Sequence, residues 1–297
     1  MSKLNFKLND CFLCEDDNSS PTIYTKNAFD NEFKILNCNV CDSNYINKVP
    51  SDEYTYNYIY DFGGIDSKIE IKNILTRLRI LKAKHYLKKN CPEILVNNLD
   101  VLDYGSGDGY LSYSINQLNE NTNVFASDYI KKDSPFYKNV TFNSLDEIMS
   151  LDRKYDIIIL RHVLEHIEEP KKVIDELIYK LKNGGYILVE VPNHELKTNI
   201  MLRIFKKDYN QIGLPWHFNH FNVSIFDKMF KDHKLVYSEN SIPVLGQSLM
   251  MKINKQYLTF DGTGFIALLF YPIQYILDLI SKSHTAIILK IYKETIK

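Results

Sequence analysis

The chain has 297 residues, 36 Lys+Arg against 37 Asp+Glu, a formal net charge of -1 and 45% hydrophobic residues. That balance argues against a protein held mainly by nucleic-acid phosphates, which usually carries a basic excess, while leaving room for a local basic patch, and the composition excludes wholesale disorder. The length suits one domain of ~250 residues with an addition, enough for a sizeable core.

The first seven residues, Met1 to Lys7, carry no apolar run of the secretory kind, which predicts a cytoplasmic protein. Four of the five cysteines then fall in two pairs, Cys11 with Cys14 and Cys38 with Cys41. Two such knuckles offer four thiolates, the number and the bite of a tetrahedral Zn²⁺ site, with a redox dithiol as the rival reading. With every position filled by protein, the metal would be structural. Cys91 stands alone and reads as a small packed residue. Short strands are expected at 22–25 and 32–36, so residues 1–48 are predicted to form a zinc-ribbon domain. Residues 49–95 form a linker and helical segment. Tyr54, Tyr56, Tyr58 and Tyr60 alternate, Gly63 and Gly64 follow, and Ile71, Ile74, Leu75, Leu78, Leu81 and Ala83 predict a helix over 67–89.

Residues 98–111, Asn-Leu-Asp-Val-Leu-Asp-Tyr-Gly-Ser-Gly-Asp-Gly-Tyr-Leu, predict a strand, a glycine-rich turn and a helix start near Tyr110. Glycines there let a ligand touch the backbone. The spacing departs from the dinucleotide fingerprint, with Tyr110 in place of its third glycine. Asp103 precedes the loop and would suit a ligand bearing an ammonium group. A second strand ends in Asp128, where a carboxylate can take both ribose hydroxyls of an adenosine. A third strand is expected at 139–142, followed by Ser144 and Leu145, placed to edge an adenine. Tyr155–Leu160 reads as strand four, and Pro170 opens a helix over 170–182. Gly184 and Gly185 end that helix, and Tyr186–Val191 is strand five, running into Pro192 and Asn193.

The glycine loop, the Asp128 acid, the strand-four stretch YDIIILRHVLEHIEEP and the strand GGYILVEVPN resemble, in this order, the class I S-adenosylmethionine (SAM) dependent methyltransferases. The resemblance covers about residues 99–195 and continues weakly through Trp216–Phe221 and 225–230. It implies an α/β fold, a Rossmann-like doubly wound seven-stranded methyltransferase sheet over 96–297, beside the small N-terminal zinc ribbon. It also implies a SAM-dependent methyltransferase with SAM as cofactor. The subgroup with Leu-Glu-His after strand four and Val-Pro-Asn after strand five mostly modifies small molecules, quinones, lipids or sugars. Several members begin with a CxxC…CxxC ribbon, and some of these act on nucleotide-linked sugars or surface glycans. The implied acceptor is therefore a sugar, nucleotide-sugar or glycan intermediate. Carried over position by position, the resemblance has Gly105, Ser106 and Gly107 hold the methionine part of SAM while Asp103 faces its amino group. Asp128 takes the ribose with Tyr129 beside the adenine, Ser144 and Leu145 flank the adenine edge, and Arg161, His162 and Val163 lie toward the sulfonium.

Methyl transfer from a sulfonium is an in-line displacement that rests mainly on alignment, and a hydroxyl acceptor gains from a general base. His162 and His166 stand four apart around Glu165; were the segment helical, they would share a face. In some quinone and RNA methyltransferases a similar cluster holds Mg²⁺ with Glu at the position of His162, and this departure leaves Mg²⁺ out of the reading. Trp216, His217, His220 and Phe221 form a second cluster that could close over a ring substrate, and Asn193 and His194 lie at the pocket mouth. His166 or His217 is the first expectation for the base, with His162 as a third candidate. His85, His233 and His284 read as surface or packing residues.

Lys234–Ser238 is expected as strand six and 285–292 as a last strand, antiparallel between five and six. A C-terminal helical insertion near 240–283 carries the apolar run 262–277, interrupted by Pro272 and too short to span a bilayer. It leaves room for peripheral membrane contact or a homodimer. Two alternatives stand beside the leading reading. One is an RNA methyltransferase using the ribbon as a clamp, disfavoured by the charge balance and by Leu160-Arg161-His162-Val163 where base-methylating enzymes often carry Asn/Asp-Pro-Pro-aromatic. The other is a non-catalytic SAM- and zinc-binding interaction module.

Overall fold

The architecture comes from a computed structural model that describes residues 4–53, 55–56, 74–194, 213–240, 272–273, 276 and 286–293. The N-terminal part contains β1 (Phe6–Leu8), β2 (Ser19–Ala28), β3 (Asn31–Cys38), β4 (Asn44–Ile46) and β5 (Lys48–Pro50). In β3 the period-two pattern buries Phe33 and Ile35 on one face. α1 (Ile74–Asn90) follows, then β6 (Asp100–Tyr104), α2 (Tyr110–Leu118), β7 (Asn123–Asp128), β8 (Thr141–Ser144), α3 (Leu145–Ser150), β9 (Tyr155–Arg161), α4 (Pro170–Tyr179) and β10 (Leu181–Pro192). The described chain ends with β11 (Asn219–His220), α5 (Val223–Met229), β12 (Lys234–Asn240) and β13 (Ala286–Tyr292).

Seven of these strands form one sheet in the order β12-β13-β10-β9-β6-β7-β8. β9, β6, β7 and β8 run parallel to their neighbours and to β10, whereas β13 is antiparallel to both β10 and β12. This is the expected doubly wound sheet with its last strand inserted between strands five and six. β9 and β10 are near-continuous Ile, Leu and Val, as parallel strands covered on both faces require. One core layer gathers Leu102, Leu160, Val189, Ile174 and Leu177, and the other gathers Leu87, Val101, Ile115, Ile159 and Leu188. The topological switch lies between β6 and β9, where ligands of open α/β sheets bind.

Four readings change in detail. α1 turns Ile80, Ala83, Tyr86 and Leu87 inward, while Leu78 and Leu81 are exposed. The inner face is set by packing on α2, not by the apolar positions upstream. Strand three runs two residues later than expected, over Thr141–Ser144. Gly184 and Gly185 sit within β10 at a register irregularity between Leu181 and Tyr186 instead of capping α4. The segment after β9 is not an α-helix: only Leu164–His166 form a 3-10 turn, and His162 has a left-handed backbone with φ of 55°. His162 and His166 therefore do not share a helical face.

The N-terminal ribbon forms a four-stranded sheet in the order β11-β4-β3-β2, and β1 pairs with β5 beyond residue 48. Its edge strand β11 comes from a distant part of the chain. The alternating tyrosines other than Tyr56, the double glycine at 63–64, the 265–280 helix apart from three residues, and His284 lie outside the described residues. Among the described residues no helix is long and apolar enough to cross a membrane.

Candidate active site

A cleft of about 340 Å³ opens at the switch point and is lined by the loop after β6, the end of β7 and the turn after β9. Its size falls within the usual range for small-molecule sites. Gly105 carries φ of 74°, and a Cβ there would meet Val163 Cγ2 at 2.5 Å, so only glycine lets the loop pass under the turn after β9. The N–H groups of Gly105 and Ser106 donate to Ser127 O at 2.8 and 2.9 Å, tying the loop to β7. Tyr137 braces it from behind, donating to Gly107 O at 2.8 Å and lying 2.9 Å from Ser106 Oγ.

Two carboxylates flank the loop. Asp128 accepts from Gly107 N at 2.6 Å and from Tyr129 N at 2.8 Å. Asp103 is 2% exposed and accepts both Ser112 N and Ser112 Oγ, at 3.1 and 2.6 Å. Burial raises both carboxyls, reaching about 7 for Asp103, where the Asp128 charge adds to it. A buried acid and a half-buried one facing one cleft fit a cationic ligand, and bare backbone beside them fits a flat nucleoside. Tyr129 lies on the rim with its ring 4.9 Å from Tyr56, a residue the motif reading did not single out. Leu145 lines the cleft. Ser144 is not in the lining: its hydroxyl accepts from Glu147 N at 3.3 Å while Glu147 returns to Ser144 N, a capping box that starts α3.

Arg161 lines the cleft and gives Nε to the fully buried Glu190 at 2.6 Å, with Tyr110 hydroxyl also in contact. Burial would raise the Glu190 carboxyl, but the guanidinium outweighs it and holds the group below the ordinary carboxylate range. His162 Nε2 stands 3.7 Å from Glu190 Oε1, and its Nδ1 stands 3.3 Å from Glu165 Oε1.

Beside this pair the chain gathers four more imidazoles. His166, which lines the cleft, lies 4.9 Å from His217, ring to ring, and His194 lies 4.3 Å from His220. His166 Nδ1 is 2.8 Å from Trp216 O. Since a carbonyl only accepts, Nδ1 carries the proton and Nε2 is the basic atom. His217 keeps part of its ring in solvent but lies outside the cleft lining. Desolvation, reinforced first by His166 and then by His194 and His220, holds its imidazole well below the ordinary range. His220 is 1% exposed and is likewise held neutral by burial. Glu165, His166 and His217 bring ligand atoms within 4.8 Å of one another, a grouping of ligand types that can hold a divalent cation.

In the ribbon the four thiols converge. Sγ–Sγ separations are 3.4 Å for Cys11–Cys41, 3.5 Å for Cys14–Cys38 and 3.6 Å for Cys14–Cys41. A tetrahedron of Zn–S bonds near 2.3 Å has edges of about 3.8 Å, so the cluster fits Zn²⁺ with little adjustment. Ser43 Oγ lies 2.9 Å from Cys11 Sγ and 3.2 Å from Cys41 Sγ, a hydroxyl placed to support thiolates.

Comparison with known proteins bears on the family. A family model described as a methyltransferase domain matches residues 75–235. A mitochondrial ubiquinone biosynthesis O-methyltransferase of Dictyostelium discoideum is 28% identical over 142 residues, 41% of this chain and 44% of that protein. Its Candida albicans namesake is 30% identical over 112 residues, 33% of this chain and 34% of that protein. The chain thus spans less than half the length of either relative. A magnesium protoporphyrin IX methyltransferase from Synechocystis, solved with bound SAH, covers 82% of this chain and 95% of its own at 15% identity and a TM-score of 0.46.

Proposed function

The chain belongs to the methyltransferase family, as a class I SAM-dependent member, and on that premise we propose that it moves a methyl group from SAM to a hydroxyl oxygen of a small molecule. When bound, SAM supplies an electrophilic methyl on a positively charged sulfur. The glycine loop cradles the methionine part, ionised Asp103 faces the amino group, and Asp128 takes the ribose. Tyr129 and Leu145 border the base, while Ser144 acts through the turn it caps. Arg161, charge-balanced by Glu190, fixes the wall beside His162.

The acceptor hydroxyl loses its proton to Nε2 of His166. The observation that carries this is the 2.8 Å contact from His166 Nδ1 to Trp216 O, which selects the basic tautomer on a ring lining the cofactor cleft. His217 is a weaker base in its surroundings and serves as a packing and hydrogen-bonding neighbour. His162, held between two carboxylates, is a positioning partner of the wall.

Oxygen as the acceptor atom draws support from the O-methyltransferase names of the relatives. Those names belong to ubiquinone biosynthesis and lend no support to the sugar, nucleotide-sugar or glycan acceptor that the sequence suggested. The four-thiol ribbon is proposed to hold one structural Zn²⁺. The test is incubation of the purified chain with methyl-labelled SAM and three acceptor pools, hydroxylated aromatics, nucleotide-sugars and RNA, followed by mass spectrometry. Label on an aromatic hydroxyl is the expected result. Label on a sugar would move the acceptor class, and transfer to RNA alone would sink the small-molecule reading.

A further inference from the structure

A two-residue strand stitches the ribbon to the histidine cluster. On one side β11 pairs with β4, Asn219 opposite Tyr45 and His220 opposite Asn44, and Ile46 N donates to Phe218 O at 2.8 Å. On the other side Phe218 N donates to Glu165 O at 2.7 Å, and Asn219 Nδ2 donates to Ile167 O at 2.5 Å. The turn that carries His166 is thus gripped by the strand that completes the ribbon sheet. The next residues are held too: His194 N donates to Phe221 O at 2.8 Å, and the Phe221 ring meets Phe12, between the two cysteines of the first knuckle, at 5.4 Å.

Two lysines clamp the ends of this segment. Lys26 Nζ in β2 donates to Leu214 O at 2.9 Å and lies 4.7 Å from the Trp216 ring centre. Trp216 is the residue whose carbonyl sets the tautomer of His166. From the other direction Lys228 Nζ donates to Cys41 O at 2.7 Å. The ribbon therefore reaches the segment around His166 through backbone pairing, side-chain hydrogen bonds and a ring contact.

We propose that the four-cysteine ribbon is the outer wall of the acceptor site, and that metal bound in it holds β11, and through it His166, in the geometry that methyl transfer requires. The inference rests on the methyltransferase reading above and gives the ribbon a role in alignment. The cradle itself is fixed from the sheet, because the glycine loop, Asp103 and Asp128 are held by β6, β7, α2 and Tyr137, while Tyr56, 4.9 Å from the Tyr129 ring and 6.2 Å from that of Phe218, is a rim contact shared with the ribbon side. Loss of metal separates the two sides: the nucleoside still binds, but the proton acceptor drifts. Misplacement of a reacting group by about 1 Å costs about 100-fold in rate.

The test uses the full chain with Cys38→Ser and Cys41→Ser together, beside Lys26→Met, which leaves all four thiols in place. Four readouts are taken: zinc content, affinity for S-adenosylhomocysteine by calorimetry, methyl transfer, and the imidazole tautomers by ¹⁵N-histidine NMR. The wild type should carry about one zinc. The cysteine variant should lose it, keep its S-adenosylhomocysteine affinity within about twofold, lose about 100-fold in kcat and lose the Nδ1–H signature of His166. Lys26→Met should keep zinc and affinity yet lose about tenfold in kcat, with a smaller shift of the same NMR signal. Unchanged transfer and tautomer in the zinc-free variant would overturn the proposal. A parallel loss of affinity and transfer in Lys26→Met would also overturn it, because the ribbon would then be a general stabiliser. Zinc-free wild type would remove the metal itself. Failure of the zinc-loaded wild type to bind S-adenosylhomocysteine would overturn the methyltransferase reading instead, so the two failures are distinguishable.

Discussion

The two sides of the cleft are built by opposite means. The cofactor side comes mainly from one continuous stretch, 103–129, braced by Tyr137 and bordered by Leu145 and Arg161, and its carboxylates are matched by Gly107 N, Tyr129 N and Ser112. The acceptor side is assembled from the turn after β9, the end of β10 and residues 213–221. It retains buried polar atoms without a hydrogen-bond partner among the described residues: Glu165 Oε2, Glu190 Oε1, Asn219 Oδ1 and both ring nitrogens of His220. Left unpaired, a buried polar atom costs about 1–3 kcal/mol, so these are atoms that water or a bound acceptor would satisfy. Ser127 Oγ is likewise unmatched on the cofactor side, but the unmatched atoms cluster on the acceptor side, where binding and alignment can use them.

The comparison breaks hardest at His166. His166→Ala should lower kcat by about 10²–10⁴-fold, the range of a lost general base, while S-adenosylhomocysteine affinity stays within about twofold. Steady-state kinetics beside calorimetry separate the two, and a joint fall would erase the division between sides. The converse variant, Asp128→Ala, removes the acceptor of two backbone hydrogen bonds and the proposed ribose ligand. At about 1.5–3 kcal/mol for each hydrogen bond to a charged group, affinity should fall about 100-fold or more, and unchanged affinity would remove Asp128 from the cofactor site.

A smaller effect sharpens the role of Asp103. Burial raises its carboxyl to about 7, so in the empty cleft it takes up a proton as pH falls through neutrality. A cationic amino group prefers the carboxylate, so that proton must leave on binding. S-adenosylhomocysteine affinity should therefore weaken as pH drops, approaching tenfold per unit below about 7, with the slope absent in Asp103→Asn. Calorimetry between pH 8 and pH 5 checks the sign.

This division also explains what the sequence made legible. Asp103, Gly105, Gly107, Asp128 and Arg161 sit at strand ends fixed by local hydrophobic runs and glycine spacing, so chain order alone puts them at the switch point. Ser144 was legible along the chain, but its capping box with Glu147 was not, because it depends on where α3 begins. The acceptor side resisted because its contacts span long separations. Nothing in the spacing of His166 and Trp216 announces that a carbonyl fifty residues away selects a tautomer. Tyr56 was equally hidden, since its pairing with Tyr129 depends on where the ribbon's exit lies. The ribbon was legible as four thiols, but β11 was not: two residues, Asn219 and His220, carry no strand periodicity and become a strand only because β4 offers an edge.

The most direct test of the cofactor site is a crystal of the full chain soaked with S-adenosylhomocysteine. The account predicts ribose hydroxyls on Asp128, the base beside Tyr129 and Leu145, the amino group toward Asp103, and the sulfur facing the His166 side of the cleft. Density for the nucleoside elsewhere, or a cleft that stays empty at saturating ligand, would contradict it.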